Sequence, residues 1–421
     1  MKLQKIVNRL QKLHPKEIDL SLDRIKNLCK KLGNPQDKIK AISIVGTNGK
    51  QSTINALFSI LKESKIKCNV YTSPHIQRIN ERFIFNNKEL EDEKLSHLFE
   101  EVEKINDNQQ ITFFEILTAC YFFKAAQYPD NINLIEAGLF HRFDATNILK
   151  NNLASIVCSI SKDHLDWLPK DQQTIEKIVF EKTSSLLNSN IIVSKQNSMD
   201  TTDCIKKVIL KNSSEKLYFN EDFSYSNGEN GFFYYEDKFG GLKLPLPNIL
   251  GQFQLENIST AVATLRQLNL DVKDDDIKNG ITKIKSVARL QEIKSGKLKD
   301  LVKNNRLLLD GSHNEDGSRV LNEYLQTLDC KKHVILGMMA NKDHEKYISY
   351  FKDIASLTTI DIPNQPNAIS GEKLKEKFGN ISNVQYKKSI KEAIQSINLE
   401  KNDLLIITGS LYLSGEFLNL N

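Results

Sequence analysis

Short apolar runs that end in small or polar residues alternate with segments of helical periodicity along most of this chain. Runs of this kind, separated by enough residues for a helix, predict a mostly parallel sheet with helices on both faces. The runs lie at residues 41–45, 68–71, 132–136, 155–160 and 191–193, and then at 306–310, 333–336 and 404–408.

The break between the two series of runs predicts two α/β domains. The chain has 421 residues, of which 40% are hydrophobic, and this is enough to build two or three cores. Paired aromatic residues and glycines at about 217–246 predict a small antiparallel excursion within the first domain. We therefore expect a mostly parallel sheet domain flanked by helices at 1–285 and a smaller Rossmann-like α/β domain at 286–421.

Composition argues against several classes of partner. The net charge of +5 comes from 58 basic and 53 acidic residues spread along the chain, without the concentrated basic face that nucleic acid requires. The six cysteines lack C-x-x-C spacing, so neither a zinc site nor a disulfide framework is indicated. The amino-terminal segment is polar and no run approaches membrane-spanning length. We expect a cytoplasmic protein, monomeric, with no membrane or nucleic-acid partner.

The segment at 46–53 follows the first apolar run and opens a helical segment at 54–61. A glycine-containing turn between a strand and a helix predicts a phosphate-binding loop, because backbone N–H groups and a lysine face the anion there. Gln51 stands where the generic nucleotide pattern has a Mg²⁺-binding Ser or Thr. The pattern therefore indicates a particular branch of ATP users. Its ATP-binding residues are Gly46, Thr47, Asn48, Gly49, Lys50, Gln51 and Ser52.

Polar residues follow three further runs, at the strand ends where ligands of parallel sheets collect. Ser73 is placed to reach a metal near Lys50, or else belongs to a turn stabilised by Pro74. Glu136 ends an apolar run, where a buried carboxylate needs a partner, and a metal ion is the simplest one. His164 is either a structural histidine or a further Mg²⁺-site residue.

Charged residues also lie next to the second series of runs. Asp310 ends the run at 306–310, at a position where a carboxylate accepts hydrogen bonds from ribose hydroxyls in dinucleotide-binding folds. Arg289 lies at the expected domain junction, suited to bind phosphates across the cleft. A capped turn and a surface charge are the alternatives for these two residues.

With these residues in place, the chain resembles the folylpolyglutamate synthetase and dihydrofolate synthase family, a branch of the Mur-ligase superfamily, nearly end to end. The motifs that carry the resemblance include Gly46-Thr47-Asn48-Gly49-Lys50, Thr72-Ser73-Pro74-His75, Thr112-Phe113-Phe114-Glu115, Glu136-Ala137-Gly138, Asp144-Ala145-Thr146-Asn147, Asp163-His164, Arg289-Leu290-Gln291 and Asp310-Gly311-Ser312-His313. Any one of these motifs is weak, but their occurrence in order is specific.

The resemblance implies an ATP-dependent carboxylate–amine ligase of folate biosynthesis. ATP phosphorylates the carboxylate of a pterin substrate, and the amine of L-glutamate attacks the acyl phosphate. The substrates implied are dihydropteroate and folates, which makes the enzyme a dihydrofolate synthase and also a folylpolyglutamate synthase. The cofactors implied are ATP and two Mg²⁺ ions.

The resemblance also assigns roles to residues. Lys50 contacts the terminal phosphates, while Ser73, Glu136 and His164 surround one Mg²⁺. Lys182 matches a lysine that becomes a ligand of the second Mg²⁺ when it is carbamylated. Lys50, Glu136, His164 and Lys182 form the implied catalytic set.

Two further sets of contacts follow from the resemblance. Asn257, Arg289, Asp310 and His313 match nucleotide-binding positions, which implies ATP held between the domains and a carboxyl-terminal domain that closes over ATP and binds glutamate. Thr112, Phe114, Asp144 and Ala145 match positions that bind the pteroate part of the substrate.

The chain departs from the family at several positions and this leaves two alternatives open. Gln51 and the pair Phe140-His141 replace glycines, Phe253 replaces a histidine, and Thr183-Ser184 replace Ala-Gly. A side chain strains the backbone where glycine is needed for a positive φ or a close approach. One alternative is a catalytically weakened paralogue that binds nucleotide or folate, and the other is a Mur-type ligase for another carboxylate.

Overall fold

The computed structural model describes residues 2–16, 19–379 and 383–421. The chain divides into two compact units. The first contains residues 1–164, 168–248 and 255–284, and the second contains residues 165–167, 249–254 and 285–421. Each unit is built around its own sheet, so the α/β fold class predicted from the sequence is confirmed.

The helices and strands alternate along both units. The helices are α1 Lys2–Leu10, α2 Asp23–Lys31, α3 Lys50–Glu63, α4 Asp92–Asn106, α5 Phe113–Ala125, α6 Ile175–Thr183, α7 Met199–Ile209, α8 Phe253–Gln267, α9 Asp274–Ile281, α10 Lys297–Leu301, α11 Glu315–Gln326, α12 His344–Ser349, α13 Gly371–Lys377, α14 Ile390–Ser396 and α15 Leu411–Leu420. The strands are β1 Lys40–Val45, β2 Cys68–Tyr71, β3 Phe83–Phe85, β4 Lys88–Glu89, β5 Ile132–Glu136, β6 Asn152–Val157, β7 Asn190–Val193, β8 Lys216–Tyr218, β9 Phe223–Asn227, β10 Phe232–Asp237, β11 Gly240–Pro245, β12 Gln291–Glu292, β13 Arg306–Leu309, β14 Lys332–Leu336, β15 Ile354–Ile360, β16 Val384–Lys387 and β17 Leu404–Thr408.

The large sheet of the first unit has the strand order β4-β3-β2-β5-β1-β6-β7-β8. The six strands from β2 to β8 in this order pair in parallel, whereas β3 pairs antiparallel with β2 and with the edge strand β4. Strands β1 and β5 are central and almost wholly buried, which explains their near-continuous apolar sequences. The carboxyl ends of β1, β2, β5 and β6 therefore meet at one edge of the sheet.

The core beside β2 is aromatic. Tyr71 stacks on Tyr121 of α5, with ring centroids 4.9 Å apart, and Phe83 lies 5.7 Å from Tyr71. All three side chains are buried. Offset aromatic contacts of this kind stabilise a core beyond the area they bury, so they hold α5 and the residues at its start against the end of β2.

The antiparallel excursion is a three-stranded sheet in the order β11-β10-β9. It begins at Phe223 rather than near residue 217, because Leu217 is buried in β8, where it pairs in parallel with Ile192 of the large sheet. Period-2 burial along β10 identifies the inward face, which carries Phe233 and Tyr235.

The second unit holds a six-stranded sheet in the order β12-β13-β17-β14-β15-β16. Only the β12–β13 pairing is antiparallel, and the five strands from β13 to β16 run parallel, as expected for a Rossmann-like domain. Strands β13 and β17 end side by side, with Leu309 opposite Ile407. Within the described residues, none of the helices is long and apolar enough to cross a membrane.

Candidate active site

The phosphate loop, residues 46–50, connects β1 to α3 and needs glycine at two positions. Gly46 has φ +143° and Gly49 has φ +88°, and the latter value lies in the left-handed region. A Cβ at Gly46 would lie 2.8 Å from Cβ of Cys158, and one at Gly49 would lie 2.5 Å from Oδ1 of Asn257. The close approach also places Asn257, a predicted nucleotide contact, directly against the loop.

Some backbone amides of this loop are already hydrogen-bonded within the protein. The N–H groups of Thr47 and Asn48 donate to the carbonyl of Ser159, at 2.8 and 3.1 Å, which ties the loop to the segment after β6. The N–H groups in the first turn of α3 have no partner within the helix, and unpaired amides of this kind are what binds an anion at a helix start. Gln51 lies in that first turn with φ in the ordinary negative range. The replacement of glycine at 51 therefore introduces no left-handed backbone.

Three of the predicted residues converge beside the loop. The Lys50 ammonium donates to the carbonyls of Gly46 and Thr47, at 3.2 and 3.1 Å, and its Nζ lies 3.9 Å from Oε1 of Glu136. Oε2 of Glu136 accepts the N–H of Ser73 at 3.1 Å. Glu136 is only 4% exposed, and an ammonium and a backbone amide offset the cost of burying its charge.

The donors at this place suit a hard cation. Glu136 supplies carboxylate oxygens and Ser73 a hydroxyl, and Mg²⁺ prefers oxygen ligands. The described residues contain no group of three or more His, Cys, Asp or Glu side chains that would form an all-protein metal cage. Mg²⁺ in enzymes of nucleotide chemistry keeps several waters and binds through one or two carboxylates together with substrate phosphates.

Lys182 of α6 points into the same region rather than to solvent. Its Nζ donates to the carbonyl of Gly46 at 2.9 Å, and the residue is 3% exposed. Burial, together with the charge of Lys50, lowers the pKa of Lys182 to about 7. A large share of this lysine is therefore neutral near pH 7, and the neutral amine is the form that reacts with carbon dioxide to give a carbamate.

His164 and Lys182 share an aromatic neighbour, Phe140. The Phe140 ring centroid lies 5.5 Å from Nζ of Lys182 and 6.5 Å from the His164 ring. Phe140 is buried with φ +54°, and His164 has φ +56°. The side chain of His141 is also buried, with Nδ1 3.0 Å from Oγ of Ser185. Burial and the charge of Lys182 lower the pKa of His141 to about 4, so it is neutral.

The Phe140 contacts were not foreseen from the sequence. The only sequence signal is an aromatic residue where the family has glycine, and that replacement by itself predicts backbone strain. The structure shows that the backbone at Phe140 does adopt the left-handed conformation. Its ring lies near Lys182 and His164, two residues of the implied catalytic set.

The predicted pteroate-binding residues gather around α5 and the loop at 138–146. Phe114 stacks on Tyr71, with centroids 6.0 Å apart, and a Cβ on Gly138 would lie 2.8 Å from its ring. Thr112 caps α5 by accepting the N–H of Glu115. Ala145 is buried in the same loop.

Asp144 makes hydrogen bonds within this loop. Its carboxylate accepts the N–H groups of Gly138, Leu139 and Thr146 and the Thr146 hydroxyl, at 2.6–3.0 Å. Burial raises the pKa of Asp144, against the pull of these hydrogen bonds. Asp144 therefore fixes the conformation of this loop.

In the second unit, Arg289, Asp310 and His313 lie at the carboxyl end of β13. Both oxygens of Asp310 accept backbone N–H groups, from Leu290 at 2.8 Å and Ser312 at 2.9 Å. Nδ1 of His313 lies 2.9 Å from the carbonyl of Gly311. The Asp310 carboxylate thus organises two neighbouring turns, and two of its roughly four acceptor sites are left for a hydroxyl.

Comparison with known proteins identifies the family. Residues 296–411 match the Mur ligase glutamate ligase domain. The dihydrofolate synthase/folylpolyglutamate synthase of Haemophilus influenzae is 30% identical, over 97% of this chain and 95% of the relative. The protein of the same description from Bacillus subtilis is 28% identical, over 93% of this chain and 92% of the relative.

A solved structure shows the same relation in three dimensions. Escherichia coli FolC in complex with DHPP and ADP is 26% identical and superposes with a TM-score of 0.86, covering 99% of this chain and 97% of that chain. The fold thus agrees over nearly the whole length. This chain belongs to the dihydrofolate synthase/folylpolyglutamate synthase family of ATP-dependent ligases.

Proposed function

We propose that this chain joins L-glutamate to dihydropteroate with ATP, and adds further glutamates to folates, through an acyl-phosphate intermediate. The observation that carries the proposal is the convergence of Lys50, Glu136 and Ser73 at the start of α3. Phosphoryl transfer depends on positioning and charge neutralisation more than on covalent help from the protein, and this arrangement supplies both.

The roles of the residues follow from their chemistry. The first-turn amides of α3 and the Lys50 ammonium bind and orient the phosphates of ATP. Glu136, Ser73 and His164 hold one Mg²⁺, and Lys182, as a carbamate, holds a second. When bound, Mg²⁺ neutralises charge on the phosphate oxygens. Residues 1–285 form the ATP-binding domain in this proposal, and residues 286–421 form the ligase domain that binds glutamate.

The remaining contacts divide between the nucleotide and the pterin. Asn257, Arg289, Asp310 and His313 bind the nucleotide, with Asn257 placed beside Gly49. Phe114, packed between Tyr71 and Gly138, offers a flat apolar surface to the pteroate ring system, and Thr112, Asp144 and Ala145 hold the surrounding backbone. The proposal places the enzyme in the cytoplasm as a monomer that acts on small molecules.

The direct test is turnover with purified full-length protein. ATP, Mg²⁺, L-glutamate and dihydropteroate should give ADP and phosphate only when both organic substrates are present, and a folate in place of dihydropteroate tests the second activity. Nucleotide affinity by calorimetry without any product would favour the weakened paralogue. Turnover with a different carboxylate alone would favour another Mur-type substrate.

A further inference from the structure

The turn that carries Arg289 has an unusual backbone. Ala288 and Leu290 have φ +52° and +48°, on either side of Arg289, although neither is glycine. Left-handed backbone at such residues costs free energy and persists only where surrounding contacts enforce it. Both flanking side chains are buried while Arg289 is partly exposed, so the conformation turns the arginine outward between two buried anchors.

Hydrogen bonds hold this turn, residues 288–290, from both sides. Oε1 of Gln291 accepts the N–H of Ala288 at 3.0 Å, and Oδ2 of Asp310 accepts the N–H of Leu290 at 2.8 Å. The carbonyl of Ala288 accepts the N–H of Gly311 at 2.9 Å and also Nη1 of Arg289 at 2.9 Å. The carbonyl that is fixed by the turn therefore also fixes the guanidinium.

Gln291 is itself anchored. It begins β12 and pairs with Leu309 of β13, the residue before Asp310. The side chain of Gln291 thus reaches back from a sheet strand to the first residue of the turn. A Cβ on Gly311 would lie 3.1 Å from Nη1 of Arg289, so the β13 end also approaches the guanidinium closely.

We propose that Gln291 is a positioning residue for nucleotide binding, which holds the 288–290 turn in its strained form and so orients the Arg289 guanidinium toward phosphate. This inference rests on the proposed function, since it takes Arg289 to bind ATP. Gln291 acts through the backbone, and its loss leaves the buried N–H of Ala288 without this acceptor.

The test compares Gln291→Ala and Gln291→Glu with the wild-type chain. Gln291→Ala should raise the KM for ATP about tenfold, which corresponds to losing one buried hydrogen bond, with kcat within about twofold. Gln291→Glu keeps an acceptor oxygen and should restore the KM to within about threefold of the wild-type value. The KM values for glutamate and the pterin should not change.

A matched control separates positioning from general stability. Gln385 donates to Thr358 and Ser396 elsewhere in the second unit, and Gln385→Ala should lower the melting temperature without changing the KM for ATP. An unchanged KM for ATP in Gln291→Ala, or an equal rise in Gln385→Ala, overturns the proposal.

Failure of the proposed function is recognised separately. If the wild-type chain shows no ligation, calorimetry with ADP still measures the effect of Gln291. A Kd about tenfold weaker in Gln291→Ala then supports the positioning role although the ligase proposal has failed. An equal Kd in the two proteins, or no ADP binding by the wild-type chain, overturns the positioning role.

Discussion

The phosphate loop of the first unit and the Arg289 turn of the second both rely on backbone with positive φ. The loop places glycine at 46 and 49, where a side chain would meet Cys158 or Asn257. The turn instead places Ala288 and Leu290 in the left-handed region and holds them with the side chains of Gln291 and Asp310. Glycine is thus required where space is lacking, whereas hydrogen bonds and burial suffice where only the torsion angle is unfavourable.

The largest expected effect lies at the residue that faces the loop. Glu136→Ala should reduce kcat by about a thousandfold or more, because it removes the buried carboxylate beside Lys50 from the site of phosphoryl transfer. The protein should remain folded, which circular dichroism and thermal unfolding will show. Activity within about tenfold of wild type would remove Glu136 from the catalytic set.

The loop side of the comparison is tested by Gly49→Ala. The new Cβ would meet Asn257 at 2.5 Å in a backbone with φ +88°, so we expect ATP affinity to fall by at least about tenfold. Calorimetry with ADP measures this. Gly231→Ala is a control for backbone strain alone, since Gly231 has φ +82° with nothing within 4 Å of its Cβ position, and ADP affinity should be unchanged there.

The pH dependence of stability reports on Lys182. The folded pKa is lowered to about 7 while an unfolded lysine titrates near about 10.4, so the unfolded chain binds more protons between these values. The stability of the wild-type chain relative to Lys182→Met should therefore rise as the pH increases from about 7 to about 10. Urea unfolding across this range measures it, and a difference that is flat with pH would contradict the burial of the ammonium. Lys177→Met removes a less buried lysine from the same helix and gives the background.

The smallest effect is expected on the turn side of the comparison. Ala288→Gly loses one buried methyl but relieves the left-handed strain, and these terms nearly cancel, so the free energy of unfolding should change by less than about 0.5 kcal/mol. Ala393→Gly loses a buried methyl from the middle of α14 and should cost about 1 kcal/mol more than Ala288→Gly. Equal losses in urea unfolding would mean that position 288 carries no strain.

Much of the fold was predictable because buried strands have a recognisable local sequence pattern. Strands β2, β5 and β17 have the bounds expected from their apolar runs, since a run buried on both faces is readable from the sequence alone. The strand predicted at 155–160 ends three residues earlier, because β6 ends at Val157. The residues after it form the segment that accepts hydrogen bonds from the phosphate loop. Periodicity does not reveal where a strand gives way to a loop of equally apolar residues.

The sequence predicted which residues come together at the candidate site, but it predicted few of the contacts that they make. Lys50, Ser73 and Glu136 come together because parallel strands deliver their carboxyl ends to one edge. Asp144 and Asp310 were expected to contact ligands. In the structure Asp144 accepts backbone amides of its own loop, and Asp310 accepts one amide of its own turn and one from the Arg289 turn. Which donors reach a carboxylate depends on the backbone that folds around it, and no rule of sequence spacing predicts that backbone.

The sequence by itself determined the two α/β units and the family, and it predicted the glycine-dependent phosphate loop, because these rest on local patterns of apolar residues, glycines and motifs. Only the tertiary structure decided that Lys182 bonds to Gly46, that Phe140 lies near both Lys182 and His164, and that Gln291 bonds to the Arg289 turn. The Lys182 contact joins residues 136 positions apart. Contacts of that range, or across a strained turn, depend on burial and on the hydrogen-bond partners that burial leaves, and these exist only once the chain has folded.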